Sequence, residues 1–208
     1  MRALSCVVGL SLGACGSVAV PTERFYRLAL PAPTAPDPSR AGTLRVADLQ
    51  LGTALDSDRL LRQAGVRLEP RPLSRWVAPL DRLVTDALVL GLSRARVCEL
   101  VKGSADAGTE TWSLHGRIVD FVEAEGDAGP EARVRLELWL LQGDALVFHD
   151  EFAWVEPLAG SDPDSAVAAL SRGLHQVVGD VVARMRDHEL FAAARAARAI
   201  DHAARPPR

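Results

Sequence analysis

The side chains of this chain that could do chemistry are three cysteines, at 6, 15 and 98, five histidines, at 115, 149, 175, 188 and 202, and its carboxylates. A metal centre or a nucleophile with an orienting base needs such groups at defined spacings, and the sequence holds no His-x-x-x-His and no Cys-x-x-Cys. Gly-rich phosphate loops and Gly-x-Ser-x-Gly elbows are missing as well. The one dense polar cluster is His149-Asp150-Glu151. In an extended strand His149 and Glu151 share a face, the spacing a divalent-cation site or a hydrolytic acid–base pair would need, but a solvated strand face explains the run more simply. No catalytic residue, metal ligand or cofactor is assigned.

The cysteines have three separate expected fates. Residues 1–14 carry one positive charge, Arg2, followed by about ten apolar or small residues, the pattern of a signal peptide. Such a run is too short for a hydrocarbon core that takes about 20 residues of helix, and charges interrupt every later apolar stretch. Cys6 would leave with the leader. Leu12-Gly13-Ala14-Cys15 resembles a lipobox: an apolar residue, two small ones, then a cysteine whose thiol takes a diacylglycerol. Lipidation is therefore expected at Cys15, and Cys98, the last thiol, is expected to be a small buried residue. Gly16 and Ser17, with no Asp there, imply by resemblance to sorted lipoproteins an outer-membrane address facing the periplasm.

Of the 24 basic residues in 208, all but Lys102 are Arg, and the formal net charge is −3. Without residues 1–14, 23 basic residues face 27 acidic ones. This balance argues against nucleic acid, which requires a concentrated basic surface. The 48% hydrophobic content suits one folded domain.

The elements that would position these residues follow from periodicity. A first strand is predicted over 24–30, then Pro31, Pro33, Pro36 and Pro38 impose an extended segment, and a strand resumes over 43–50. Segments 59–63 and 66–71 flank Ala64-Gly65 as a hairpin. Leu80, Leu83, Val84, Ala87, Leu88, Gly91, Leu92 and Ala95 recur on one helical face between 79 and 96, with Pro79 suited to the first turn. A short strand over 97–101, a polar stretch over 103–110 and a strand over 111–122 follow, with a turn over 123–130. Val134, Leu136, Leu138 and Leu140 alternate with Arg133, Arg135, Glu137 and Trp139, so Trp139 lies opposite the apolar face and is the candidate partner-binding residue. Trp76, by contrast, is expected to be a buried anchor. Gln142-Gly143-Asp144 turns the chain into a strand over 145–155, and Ser161-Asp162-Pro163 caps a second amphipathic helix reaching about residue 189.

A mostly antiparallel sheet and two amphipathic helices packed on one face make an α+β two-layer sandwich. The expected division is a signal peptide 1–14, a lipidated tether 15–23, a folded domain 24–190 and an Ala/Arg-rich tail 191–208.

These residues resemble the ABC-type transport auxiliary lipoproteins, the PqiC-like family. The similarity runs through the lipobox at Cys15, Phe25-Tyr26-Arg27-Leu28 and Leu55-Asp56-Ser57-Asp58-Arg59-Leu60. It continues through Arg75-Trp76-Val77-Ala78-Pro79-Leu80, the strand Val134 to Leu140 with Trp139, and Ala168-Ala169-Leu170-Ser171. The resemblance implies a non-enzymatic adaptor of an intermembrane lipid-transport machine, working with an ABC permease and ATPase and an MCE-type substrate-binding protein, anchored by lipid and assembling as a homo-oligomer. The tail after 190 has no counterpart in that pattern. Two other readings stay open from the residues alone: an envelope assembly or structural lipoprotein binding a β-barrel or peptidoglycan, and a periplasmic hydrolase using His149 and Glu151.

Overall fold

The computed structural model describes residues 22–29, 42–56 and 58–187. The leader, Cys15, the segment Pro31 to Pro38, Ser57, His188, His202 and the tail 191–208 lie outside the described residues. In chain order the elements are β1 (Arg24–Tyr26), β2 (Thr43–Val46), β3 (Gln50–Leu51), β4 (Arg59–Ala64), β5 (Arg67–Trp76), α1 (Leu80–Arg94), β6 (Leu100–Lys102), β7 (Trp112–Gly126), β8 (Gly129–Gln142), β9 (Ala145–Pro157) and α2 (Pro163–Asp187).

The spine is the antiparallel meander β7–β8–β9. Period-2 alternation builds it: Leu114 and Ile118 on β7, and Val134, Leu136, Leu138 and Leu140 on β8, are buried on the inner face. Each such leucine removed from water contributes roughly 2 kcal/mol. The predicted turn over 123–130 is corrected to Asp127-Ala128, because β7 runs on to Gly126, which pairs with Gly129. The polar residues that suggested a loop are held inside the sheet. Glu123 is buried, and Arg71 donates to both of its carboxylate oxygens at 2.7 Å while also reaching the Ser161 carbonyl. Only Gly129, at φ +124°, needs glycine's freedom at this hairpin.

The other edge of β7 is shared. β2, β3 and β4 pair with it in parallel, one after another along its length, and the sheet branches from them to β6 on one side and to β5 and β1 on the other. The long pairings are antiparallel and the parallel ones are short, so the sheet is mostly antiparallel, as periodicity predicts. The predicted strand 43–50 is two pieces, because the Leu49 N–H leaves the ladder and donates to Thr85 Oγ on α1 at 3.1 Å. The predicted strand 24–30 ends at Tyr26, where the chain turns towards α2 and Ala29 N–H donates to Ser171 Oγ. The strand expected at 97–101 is Leu100–Lys102, and β5 extends past 71 to Trp76.

Both helices cover one face. α2 lies along β8 and β9, while α1 packs on α2 and over β2, β3 and β6. Asp162 caps α2: its carboxylate accepts the Ser165 backbone N–H at 2.9 Å and the Ser165 hydroxyl at 2.7 Å, and Pro163 stands first in the helix. Pro79 takes the N-cap position of α1 rather than its first turn. A Cβ on Gly91 would meet Val178 at 2.5 Å, so a glycine here sets how closely the helices approach. Trp76 is buried as expected, 5.8 Å edge-on from Phe121, and Cys98 is also buried.

Candidate functional site

The inner face of the meander is the core; the outer face is where surface chemistry gathers. Register sorts it into rows across β9, β8 and β7. His149, Trp139 and His115 form the first, Glu151, Glu137 and Arg117 the second, and Ala153, Arg135 and Asp120 the third.

In the first row Trp139 is half-buried between two imidazoles. His115 stacks parallel to the indole, with ring centroids 6.2 Å apart and planes 6° apart. His149 meets it edge-on at 5.7 Å and 73°. Three rings from three strands are thus immobilised on a rigid sheet, which lowers the entropy lost when such side chains anchor a partner.

The charged rows are internally paired. Glu137 lies 2.8 Å from His149 Nε2 and 4.0 Å from Arg117. Arg135 binds Asp120 at 2.7 Å and stands 3.7 Å from Glu151. Most of these groups are one-third to one-half exposed, so each pair is worth only ~0–1 kcal/mol and the network orients more than it stabilises. His149 and Glu151 do share a face, but Glu137 and Arg135 are their respective partners. Among the described residues no group of three or more His, Cys, Asp or Glu could hold a metal ion.

Two further constellations escape sequence inspection. Arg45 of β2 donates to the carbonyls of Ser104, Asp106 and Gly108 and to Glu110 at 2.9 Å. Lys102 of β6, buried to 4% exposure, donates to the Gly108 carbonyl at 2.5 Å and the Ala107 carbonyl at 3.4 Å. Together they clamp the 103–110 loop from below, and the Arg45 hydrogen bond holds the Glu110 carboxyl below its ordinary range. On β9, Glu156 accepts from Arg172 at 2.7 Å and from the Trp154 indole at 3.1 Å, which lowers its carboxyl likewise.

In this row the sequence marks Trp139 as the partner-binding candidate and His149 only as part of the polar cluster His149-Asp150-Glu151. It had no means of bringing His115 and His149 to it, because their meeting depends on two irregular registers: one between Ile118 and Asp120 on β7, one between Leu140 and Leu141 on β8. Cys15 lies outside the described residues. No described helix is long and apolar enough to cross a membrane.

Comparison with known proteins points one way. Residues 26–182 match the family described as ABC-type transport auxiliary lipoprotein component. Among solved structures, a Xanthomonas campestris protein of the DUF330 family superposes with a TM-score of 0.67 at 19% identity, covering 76% of this chain and 92% of that one. An uncharacterised protein superposes at 0.66 and 20% identity, covering 79% and 99%. At these identities the likeness is one of fold. Among curated proteins, none matches the sequence.

Proposed function

This chain belongs to the ABC-type transport auxiliary lipoprotein components, and from that premise we propose that it is a lipid-anchored, non-enzymatic adaptor of an ABC/MCE-type intermembrane lipid-transport system. Cys15 would carry the acyl chains, residues 15–23 would be the tether, and 24–190 the working domain, with 191–208 an appended tail. The anchor would sit in the outer membrane and face the periplasm, and the partners would be the permease and ATPase, the MCE-type substrate-binding protein and further copies of this chain. ATP would be hydrolysed by another subunit.

The observation that carries the adaptor reading is the Trp139 row. An aromatic residue wedged between two histidines on a salt-bridged sheet face suits a protein contact. Surface aromatics on rigid elements are frequent anchors of interfaces. Two measurements test the proposal. Mass spectrometry of the mature chain should find acyl groups on Cys15, and Cys15→Ala should move the protein from the membrane to the soluble fraction. Pull-down of the lipidated chain should recover the permease, ATPase and MCE protein; recovery of a β-barrel or of peptidoglycan in their place would replace this reading with that of an envelope assembly lipoprotein.

A further inference from the structure

At the far end of the sheet from Trp139, three large apolar side chains stand in water. Phe25 is 63% exposed, Val77 59% and Leu73 41%. Single exposed hydrophobics are ordinary, but these three gather at one edge of the sheet. In the parallel β1–β5 pairing Phe25 lies opposite Arg75, and Val77 follows two positions on, on the same side of the strand. Leu73 precedes the first paired residue, Ser74, in an irregular stretch of β5, and stands at the same edge beside Thr22 and Arg24. The ladder continues past β5, since Val77 N–H donates to the Tyr26 carbonyl at 2.8 Å. The alternate residues, Tyr26, Ser74 and Trp76, point inward and are buried.

Leu73 adds a second oddity. Its φ is +56°, a left-handed conformation that leucine rarely adopts and that glycine would take without strain. A bulky apolar residue is nevertheless kept there, half in water, beside Thr22, Pro72 and Pro163 around a surface pocket of about 290 Å³.

We propose that the β1–β5 edge is a bilayer-contact surface, with Phe25, Leu73 and Val77 entering the interfacial layer of the membrane that holds the lipidated Cys15. The inference rests on the anchor proposed above. Chain length supplies the argument for a bilayer as the occupant. Nine residue steps lead from Cys15 to Arg24, so at ~3.5 Å per residue the start of β1 lies within ~32 Å of the acylated residue. A patch held at that range meets the bilayer at high effective concentration, so weak apolar contacts suffice to set orientation. Charge does not oppose it. Arg24 and Arg27 are exposed at its border, where long stems can reach past headgroups, and Arg75 is paired with Glu23 and Asp58.

The test uses the full lipidated chain in vesicles of phosphatidylethanolamine and phosphatidylglycerol containing brominated acyl chains. An environment-sensitive fluorophore is placed at Phe25→Cys, Leu73→Cys or Val77→Cys, with Val66→Cys at the fully exposed β4–β5 hairpin tip as the control for insertion driven by the label itself. At least twofold stronger quenching at 25, 73 and 77 than at 66, little changed by 0.5 M salt, is the expected result. Quenching equal to that at 66 in a chain that floats with the vesicles overturns the patch and leaves the anchor standing. A chain that neither floats nor carries acyl mass overturns the anchor and the patch together. Shielding of the three labels that grows with protein concentration in the absence of vesicles overturns the patch in favour of contact between copies.

Discussion

The two faces of the β7–β8–β9 meander are made by the same strands with the same alternation, and they behave oppositely. Inward, Leu114, Ile118, Leu136, Leu138 and Leu140 are sealed beneath the helices and answer only to packing. Outward, His115, Arg117, Glu137, Trp139 and His149 are half-wet, paired across strands, and add little to stability. The difference teaches that one sheet can separate folding from recognition by parity alone, so changes on one face should leave the other's task intact.

That separation can be broken most severely from inside. Leu136→Ala removes a fully buried side chain and should cost about 2–5 kcal/mol in urea unfolding, with the folded fraction still binding its partners. A loss below about 1 kcal/mol would mean the inner face is not the core. Glu123→Gln probes the one place where a carboxylate sits among the apolar rows. It should cost about 2 kcal/mol, less than for a fully enclosed pair because Gln keeps a hydrogen bond and Arg71 keeps some water. An unchanged unfolding midpoint would show that the Arg71 pair is dispensable.

On the outer face the expectation reverses. Trp139→Ala should cost only about 1 kcal/mol of stability, the value of its ring contacts, yet reduce recovery of the transport partners about tenfold, as loss of an interface anchor does. Equal recovery with wild type would remove this face from the interface. The smallest effect belongs to the cap of α2. The hydrogen bonds from the Ser165 hydroxyl and backbone N–H hold the Asp162 carboxyl below its ordinary value near 3.8. Its stabilising contribution is therefore present above that value and disappears as pH falls through the lowered one. Asp162→Ala should lower Tm by about 2 °C at pH 7, with the gap between the two curves narrowing as pH falls below the ordinary carboxylate value; a gap that stays constant on acidification would show that ionisation plays no part.

Much of this was legible because local rules sufficed. The alternation from Val134 to Leu140, the stripe of α1 and the Ser161-Asp162-Pro163 cap each report their structure within a few residues. What escaped was non-local. The break at Leu49 depends on a hydroxyl 36 positions away, and Glu123 looked like loop because its arginine lies on β5. Extending the two-residue Gly143-Asp144 turn with perfect register would have set Trp139 opposite Phe148; the irregularity at Leu140/Leu141 slides it to His149. A one-residue slip of that kind decides which residues form the candidate site, and no single strand encodes it.

Lys102 carries a practical consequence. It is the chain's one lysine, and its ammonium group is spent on the 103–110 loop beneath the surface. Apart from the histidines, every other basic side chain is therefore a guanidinium, which carries no nucleophilic amine. The surface is silent to amine-directed reagents: an N-hydroxysuccinimide ester should leave the side chains of the folded chain unmodified and reach Lys102 only after unfolding, and rapid labelling of Lys102 in the native protein would contradict the clamp. Capture of partners by covalent means must then proceed through carboxylates or through introduced thiols.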